Sequence, residues 1–168
     1  MDIRDVNQTD AKDITRIYNH FIANSYITFE EVDVSINEMS ERITLHYETD
    51  LPWLVAVDDG VVIGYAYASK WKGRCAYRFS VEITVYIDVE HAGKGIGTAL
   101  YQQLFSRLIA AQYRTVIAGI SLPNAASVAL HEKFGLTKAG HFNEVGFKFE
   151  KWVDVGYWQG NLAEMTCN

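Results

Sequence analysis

Apolar positions along the chain recur in two different periods. Ile14, Ile17, Tyr18 and Phe21 stand at i, i+3, i+4 and i+7, which is one face of a helix. Thr9 or Asp10 just ahead can cap it, and Ile3 and Val6 flank a short strand before that. Residues 24–33 break the period and read as a loop. Ser35 and Glu38 then form a capping box, opening a helix with a sparse apolar face of Ile36, Met39 and Ile43. From residue 53 the pattern shortens. An apolar run over 53–57, an Asp58-Asp59-Gly60 turn and a return run over 61–69 predict a hairpin. A basic loop, 70–78, leads to a strand of clean alternation. Phe79, Val81, Ile83, Val85 and Ile87 point one way; Ser80, Glu82, Thr84 and Tyr86 point the other.

The helical period returns after a glycine-rich turn, where Leu100, Leu104, Phe105, Leu108 and Ile109 make a buried face. A buried strand over 115–120 follows, then a helix opened by Pro123 and Asn124 and stopped at Gly135. Strands near 136–143 and 147–155 complete the order β-α-α-β-β-β-α-β-α-β-β. Hairpins coexist with crossovers, which predicts an α/β (α+β) fold with a mixed central sheet flanked by helices.

The chain has 168 residues, 49% of them hydrophobic, which is enough for one well-cored domain spanning 1–168. That content excludes disorder as the dominant state. A net charge of −6 argues against non-specific nucleic-acid binding. Cys75 and Cys167 match no C-x-x-C pattern, so a disulfide scaffold is not expected and a reducing, cytoplasmic location is. No apolar run is long enough to span a bilayer. His20, His46, His91, His131 and His141 show no metal-ligand spacing, and no G-x-S-x-G elbow occurs.

Gly93-Lys94-Gly95-Ile96-Gly97 follows a strand and opens a helix. Glycines let backbone approach a ligand, and the free N–H groups of a helix N-terminus favour an anion, so the segment reads as a pyrophosphate site. It is neither a Walker A loop nor a dinucleotide fingerprint, since Thr98 stands where the latter needs glycine.

From His91 to Gly97 the chain resembles the acyl-CoA pyrophosphate loop of the GNAT (GCN5-related) N-acetyltransferases. The segment from Asn124 to Leu136 resembles that family's other signature. The strand from Val81 to Tyr86, the Leu130-His131-Glu132 segment and the tail 154–159 resemble its phosphinothricin and methionine sulfone/sulfoximine subfamily. Ala92 departs from the loop pattern, which has Gln or Arg there; this implies weaker CoA binding with the backbone donors kept.

The resemblance implies a mostly antiparallel central sheet and acetyl-CoA as donor, with no metal. It implies CoA contacts from Val85, Tyr86, Ile87, Gly93, Lys94, Gly95, Ile96, Gly97, Thr98, Asn124 and Ser127. Glu82, alone a solvated strand residue, becomes the base that removes a proton from the attacking amine. His131, which shares a helix face with Asn124 and Ser127, becomes an acid, a base or both. Phe29, Glu30, Arg74 and Arg78 become substrate contacts; an Arg fork can hold the carboxylate of an amino-acid-like acceptor. The expected protein is a homodimer acetylating the α-amine of a small molecule by direct transfer, a reaction that confers antibiotic or herbicide resistance. The alternatives are a peptide N-terminal acetyltransferase and a CoA-binding sensor without catalysis.

Overall fold

In the computed structural model, which describes residues 1–165, Asn7 and not Thr9 or Asp10 provides the first cap. Asn7 and Asp10 form a capping box around a short 3-10 turn, Gln8–Asp10, that runs into α1 (Ala11–Asn24). The buried Asp10 carboxylate is already engaged, gripped by both Arg4 nitrogens at 2.7 and 2.8 Å. Ser35 and Glu38 cap α2 (Ile36–Tyr47) reciprocally, as the sequence predicts. Met39 and Ile43 turn inward there, whereas Ile36, at the first position, is exposed.

The strands are β1 (Asp2–Asp5), β2 (Trp53–Asp58), β3 (Val61–Lys70), β4 (Ser80–Ile87), β5 (Thr115–Leu122), β6 (Thr137–Lys148) and β7 (Lys151–Asn161). They form one sheet in the order β1-β2-β3-β4-β5-β7-β6. Every pairing is antiparallel except β4 with β5. The β2–β3 turn places Asp59 and Gly60 at φ 47° and 80°, the doubly left-handed turn that suits the strands' twist.

Helices cover both faces. Trp53 and Val55 of β2 pack with Ile14, Ile17 and Ile43 from α1 and α2. Their neighbours Leu54 and Ala56 pack on the opposite face with α3 (Ile96–Ala110), through Leu100, Leu104 and Leu108. Burial on both faces is why β2 reads as an unbroken apolar run rather than an alternation. The last helix, α4 (Ala125–Lys133), lies on the α3 side, where Leu130 and Val128 join that core.

Two boundaries differ from the sequence reading. Phe79 lies outside β4 and is exposed, its ring under the Arg78 guanidinium at 4.6 Å. The final hairpin turns at Phe149 and Glu150, both with positive φ, not at 144–146. Glu144 (φ 50°) and Gly146 instead mark a bulge within β6, where the register with β7 shifts. Cys75 is free and exposed; Cys167 lies outside the described residues.

Candidate active site

β4 and β5 pair at only three positions, Ser80 with Thr115, Val81 with Val116 and Glu82 with Ile117. Beyond them β4 runs on to Ile87 and β5 to Leu122, yet the two strands no longer pair. The sheet therefore opens into a wedge, and Glu82 sits at its apex. Even-numbered β4 side chains face α1: Tyr86 packs its ring against Tyr18 and Phe21 at 5.2 and 5.4 Å. Odd-numbered Val81 and Ile83 face α3. A cleft of about 110 Å³ is lined by Glu82, Thr84 and Tyr86 from the first side and by Tyr101 and His131 from the other. It therefore passes through the sheet at the wedge.

Glu82 is half-buried, and burial raises its pKa above the usual carboxylate range against the lowering field of Lys72. Gly119 on β5 leaves it room: a Cβ there would stand 3.5 Å from Glu82 Oε1 and 3.2 Å from the Tyr157 ring. A carboxylate with a raised pKa in a narrow cleft is suited to accept a proton near neutrality.

His131 is the one buried residue of α4. Its Nδ1 lies 2.7 Å from the Ser127 carbonyl and its Nε2 2.9 Å from the Tyr101 hydroxyl. Desolvation lowers its pKa and favours the neutral ring. A carbonyl only accepts, so Nδ1 carries the proton and the Tyr101 O–H donates to Nε2. The period of polar and apolar positions along this helix predicts an apolar side of Ala126, Ala129 and Leu130; Leu130 packs on the core, Ala126 and Ala129 are exposed, and the Asn124, Ser127 and His131 face lines the cleft. Asn124 Oδ1 also caps the helix, accepting from Ser127 N at 3.1 Å.

The glycine-rich turn lies after β4 and ends at the start of α3. Gly93 and Gly95 have φ of 76° and 80°, with nothing within 4 Å of a Cβ built at either. Amides of Ile96, Gly97 and Thr98 open the helix and have no partner within it. An open cradle of backbone donors at a helix N-terminus fits a pyrophosphate. Gly97 differs: a Cβ there would lie 3.1 Å from Leu130 Cδ2, so this glycine serves the contact of α3 with α4. Ile96 is buried and offers only its backbone; Thr98 accepts from Lys133 at 3.3 Å.

Residues 3–156 match the acetyltransferase (GNAT) domain model. The chain belongs to the GNAT acetyltransferase family. It is 38% identical over 159 residues to a phosphinothricin N-acetyltransferase of Streptomyces viridochromogenes, covering 95% of this chain and 86% of that one. It is 32% identical over 164 residues to an L-methionine sulfoximine/L-methionine sulfone acetyltransferase of Salmonella typhimurium, covering 98% and 96%. The crystal structure of a phosphinothricin acetyltransferase from Sinorhizobium meliloti in complex with acetyl-CoA superposes with a TM-score of 0.93. That chain is 39% identical, with 99% of this chain and 91% of that one covered. This GNAT enzyme is thus an acetyl-CoA-dependent N-acetyltransferase of the phosphinothricin and methionine sulfoximine type.

Within this acetyltransferase, Val85 and Tyr86 line the cleft, while Ile87 packs toward Gly64 and Gly97. Lys94 is exposed on the turn. The four residues expected to contact substrate are not brought to the cleft. Phe29 lies against Gly146 of β6, and the Glu30 carboxylate is held by Arg42 at 2.9 and 3.2 Å. Ile27, two residues earlier, lines the cleft in their place. Arg74 is exposed ahead of the 3-10 turn Cys75–Tyr77, and Arg78 donates to the Cys75 carbonyl of its own loop. The cation of this loop that reaches Glu82 electrostatically is Lys72. Tyr101 and Gly119 carried signals the sequence reading did not use. A tyrosine on a buried helix face needs a partner for its hydroxyl, and a glycine inside a strand marks close approach. Among the described residues no cluster of His, Cys, Asp and Glu is placed to hold a metal ion, and no helix is long and apolar enough to cross a membrane.

Proposed function

We propose that this enzyme acetylates the α-amine of a small amino-acid-like molecule, of the phosphinothricin, methionine sulfone or methionine sulfoximine kind, by direct transfer. The observation that carries the reading is the position of Glu82 at the apex of the wedge, in a cleft open to both faces of the sheet. The acceptor enters from the α1 side, and the donor lies along the wedge with its pyrophosphate on the turn 93–98. Acetyl-CoA supplies the activated acetyl thioester. Glu82 takes a proton from the incoming ammonium, directly or through one water, because only the neutral amine attacks. Backbone groups of residues 85–87, freed by the splay of β4 from β5, hold the donor arm, and Asn124 and Ser127 flank it. His131 assists proton transfer from the α4 side. Alignment of amine and thioester in a narrow cleft contributes much of the rate.

The names of the relatives support amino-acid-like acceptors, and acetylation of such an inhibitor's amine would protect a sensitive cell. Phe147 and Trp152 on the last hairpin are 52% and 63% exposed, with their rings 4.8 Å apart, an apolar pair on one face of the sheet's edge. We assign this face to a homodimer contact. Thiol release from acetyl-CoA, measured over phosphinothricin, methionine sulfone, methionine sulfoximine, methionine and a short peptide, tests the substrate class. Turnover confined to the free amino acids supports it; turnover on the peptide alone overturns it.

A further inference from the structure

Lys148 ends β6 and is 1% exposed. A lysine is rarely buried unless its ammonium is held. Here Nζ donates to the carbonyl of Thr28, 120 residues away, at 2.8 Å, and lies 4.9 Å from the Phe149 ring centroid. Two positions earlier, Gly146 carries the Phe29 ring. A Cβ at that glycine would fall 2.3 Å from Phe29 Cζ, so the missing side chain is what lets the ring lie there.

The same short segment is tied on its other side. The Thr28 hydroxyl is bonded to the Tyr18 hydroxyl of α1 at 2.9 Å, and Arg42 of α2 forks onto Glu30. Its leading residue, Ile27, lines the cleft. α1 and α2 pack on the β2–β3–β4 half of the sheet, while β6 is the far edge beyond β5 and β7. Among the described residues, strands of the two halves pair at only three positions, all of β4 with β5. Residues 27–30 therefore form a strap across the wedge, and Lys148 and Gly146 are its anchors on the far half.

We propose that Lys148 is a positioning residue of the acceptor pocket: through the Thr28 carbonyl it fixes the strap of residues 27–30, and with it Ile27 as a pocket wall, and so sets affinity for the amino-acid acceptor without contacting it. This rests on the reading of the cleft as the acetyl-transfer site. It assigns a substrate-affinity role to the last hairpin, which contributes no residue to the cleft lining.

The test uses Lys148→Met, which keeps an apolar stem and removes the donor, and Gly146→Ala, which displaces Phe29 from the same segment. The expected result for each is an acceptor KM raised about tenfold, the scale of one charge-assisted hydrogen bond, with acetyl-CoA KM and kcat unchanged. Hydrogen exchange without substrates should show faster amide exchange over residues 26–31 in Lys148→Met, with α3 and β5 as protected as in wild type. An unchanged acceptor KM in both variants overturns the proposal. So does faster exchange spread evenly over the chain, which is what a merely structural lysine would give. If wild type transfers acetyl to no amino acid, the functional reading fails, and the exchange pattern alone still decides whether Lys148 holds the strap.

Discussion

The Tyr101 hydroxyl meets Nε2 of His131 at 2.9 Å, on the far side of the ring from the Ser127 carbonyl at 2.7 Å from Nδ1. Two hydrogen bonds thus fix both the orientation and the tautomer of the imidazole. His131 has no nitrogen left free to meet a reacting group, and a carbonyl cannot relay a proton, so any proton it moves must pass through the Tyr101 hydroxyl. Tyr101→Phe keeps the ring stacked on Phe105 (5.3 Å) but strands the buried Nε2 acceptor. It is expected to cost about 1–3 kcal/mol of stability in denaturant melts.

The same burial makes His131 an acid-sensitive element of the fold. Its native pKa lies below the ordinary value of 6.5, with desolvation the main cause. As pH falls through about 6.5 the unfolded chain takes up a proton that the native state refuses. Stability should therefore drop from about pH 6.5 downward until the native pKa is reached. His131→Gln should flatten that part of the stability–pH curve; an unaltered curve would place the acid sensitivity elsewhere.

Glu82 has the opposite sign. Its native pKa is raised by burial, so its contribution to stability is full below the unfolded value of 4.5 and lost as pH rises through the native pKa. At pH 7 the ionised carboxylate is a burden on the fold. Glu82→Gln is expected to melt at a higher temperature than wild type at pH 7 while kcat falls by about 10²–10⁴-fold. A variant that loses activity and stability together would instead make Glu82 a structural residue.

What the sequence disclosed about this site, and what it did not, follows from where periodicity applies. The alternation over 80–87 places Glu82 opposite Val81 and Ile83, and β4 has that arrangement, because strand pleat is local. The glycines at 93 and 95 read correctly as an open turn, because positive φ is a property of single residues. Phe29, Glu30, Arg74 and Arg78 lie in loops, where no period says which way a side chain turns. Glu30 is held by Arg42 and Phe29 by a bulge glycine 117 positions on, pairings that only the folded chain creates. The break expected between strands near 136–143 and 147–155 is a bulge inside β6, where Gly146 makes room for Phe29, a contact no local pattern discloses.

The turn glycines separate cofactor binding from packing. Gly95→Ala forces a side chain into the left-handed region, at about 1–2 kcal/mol, in a position that touches nothing. Its main effect should be on the shape of the anion cradle. Acetyl-CoA affinity by titration calorimetry should fall, with the melting temperature lowered by only about 2–8 °C from the backbone strain. Gly97→Val should do the reverse in emphasis, because its side chain meets Leu130 and pushes α4 from α3. Equal CoA affinity for Gly95→Ala and wild type would remove the turn from the donor site.

The basic loop offers the sharpest choice among cations. Arg74 and Arg78 are exposed and lie outside the cleft lining, and Arg78 is bonded within its loop, whereas the field of Lys72 lowers the pKa of Glu82. Removing Lys72 takes away the charge opposing desolvation, so the Glu82 pKa should rise further. In Lys72→Met the acidic limb of the kcat/KM profile should move to higher pH. Arg74→Ala and Arg78→Ala should leave that limb in place. The acceptor carboxylate gives an independent measure, since a cation that binds it loses its value when the substrate is amidated. If amidation costs wild type about tenfold in KM and costs Lys72→Met nothing more, Lys72 is the carboxylate partner. If the amide loses as much in Lys72→Met as in wild type, and the loss disappears in Arg74→Ala or Arg78→Ala, the loop must rearrange on substrate binding to bring an arginine into the cleft.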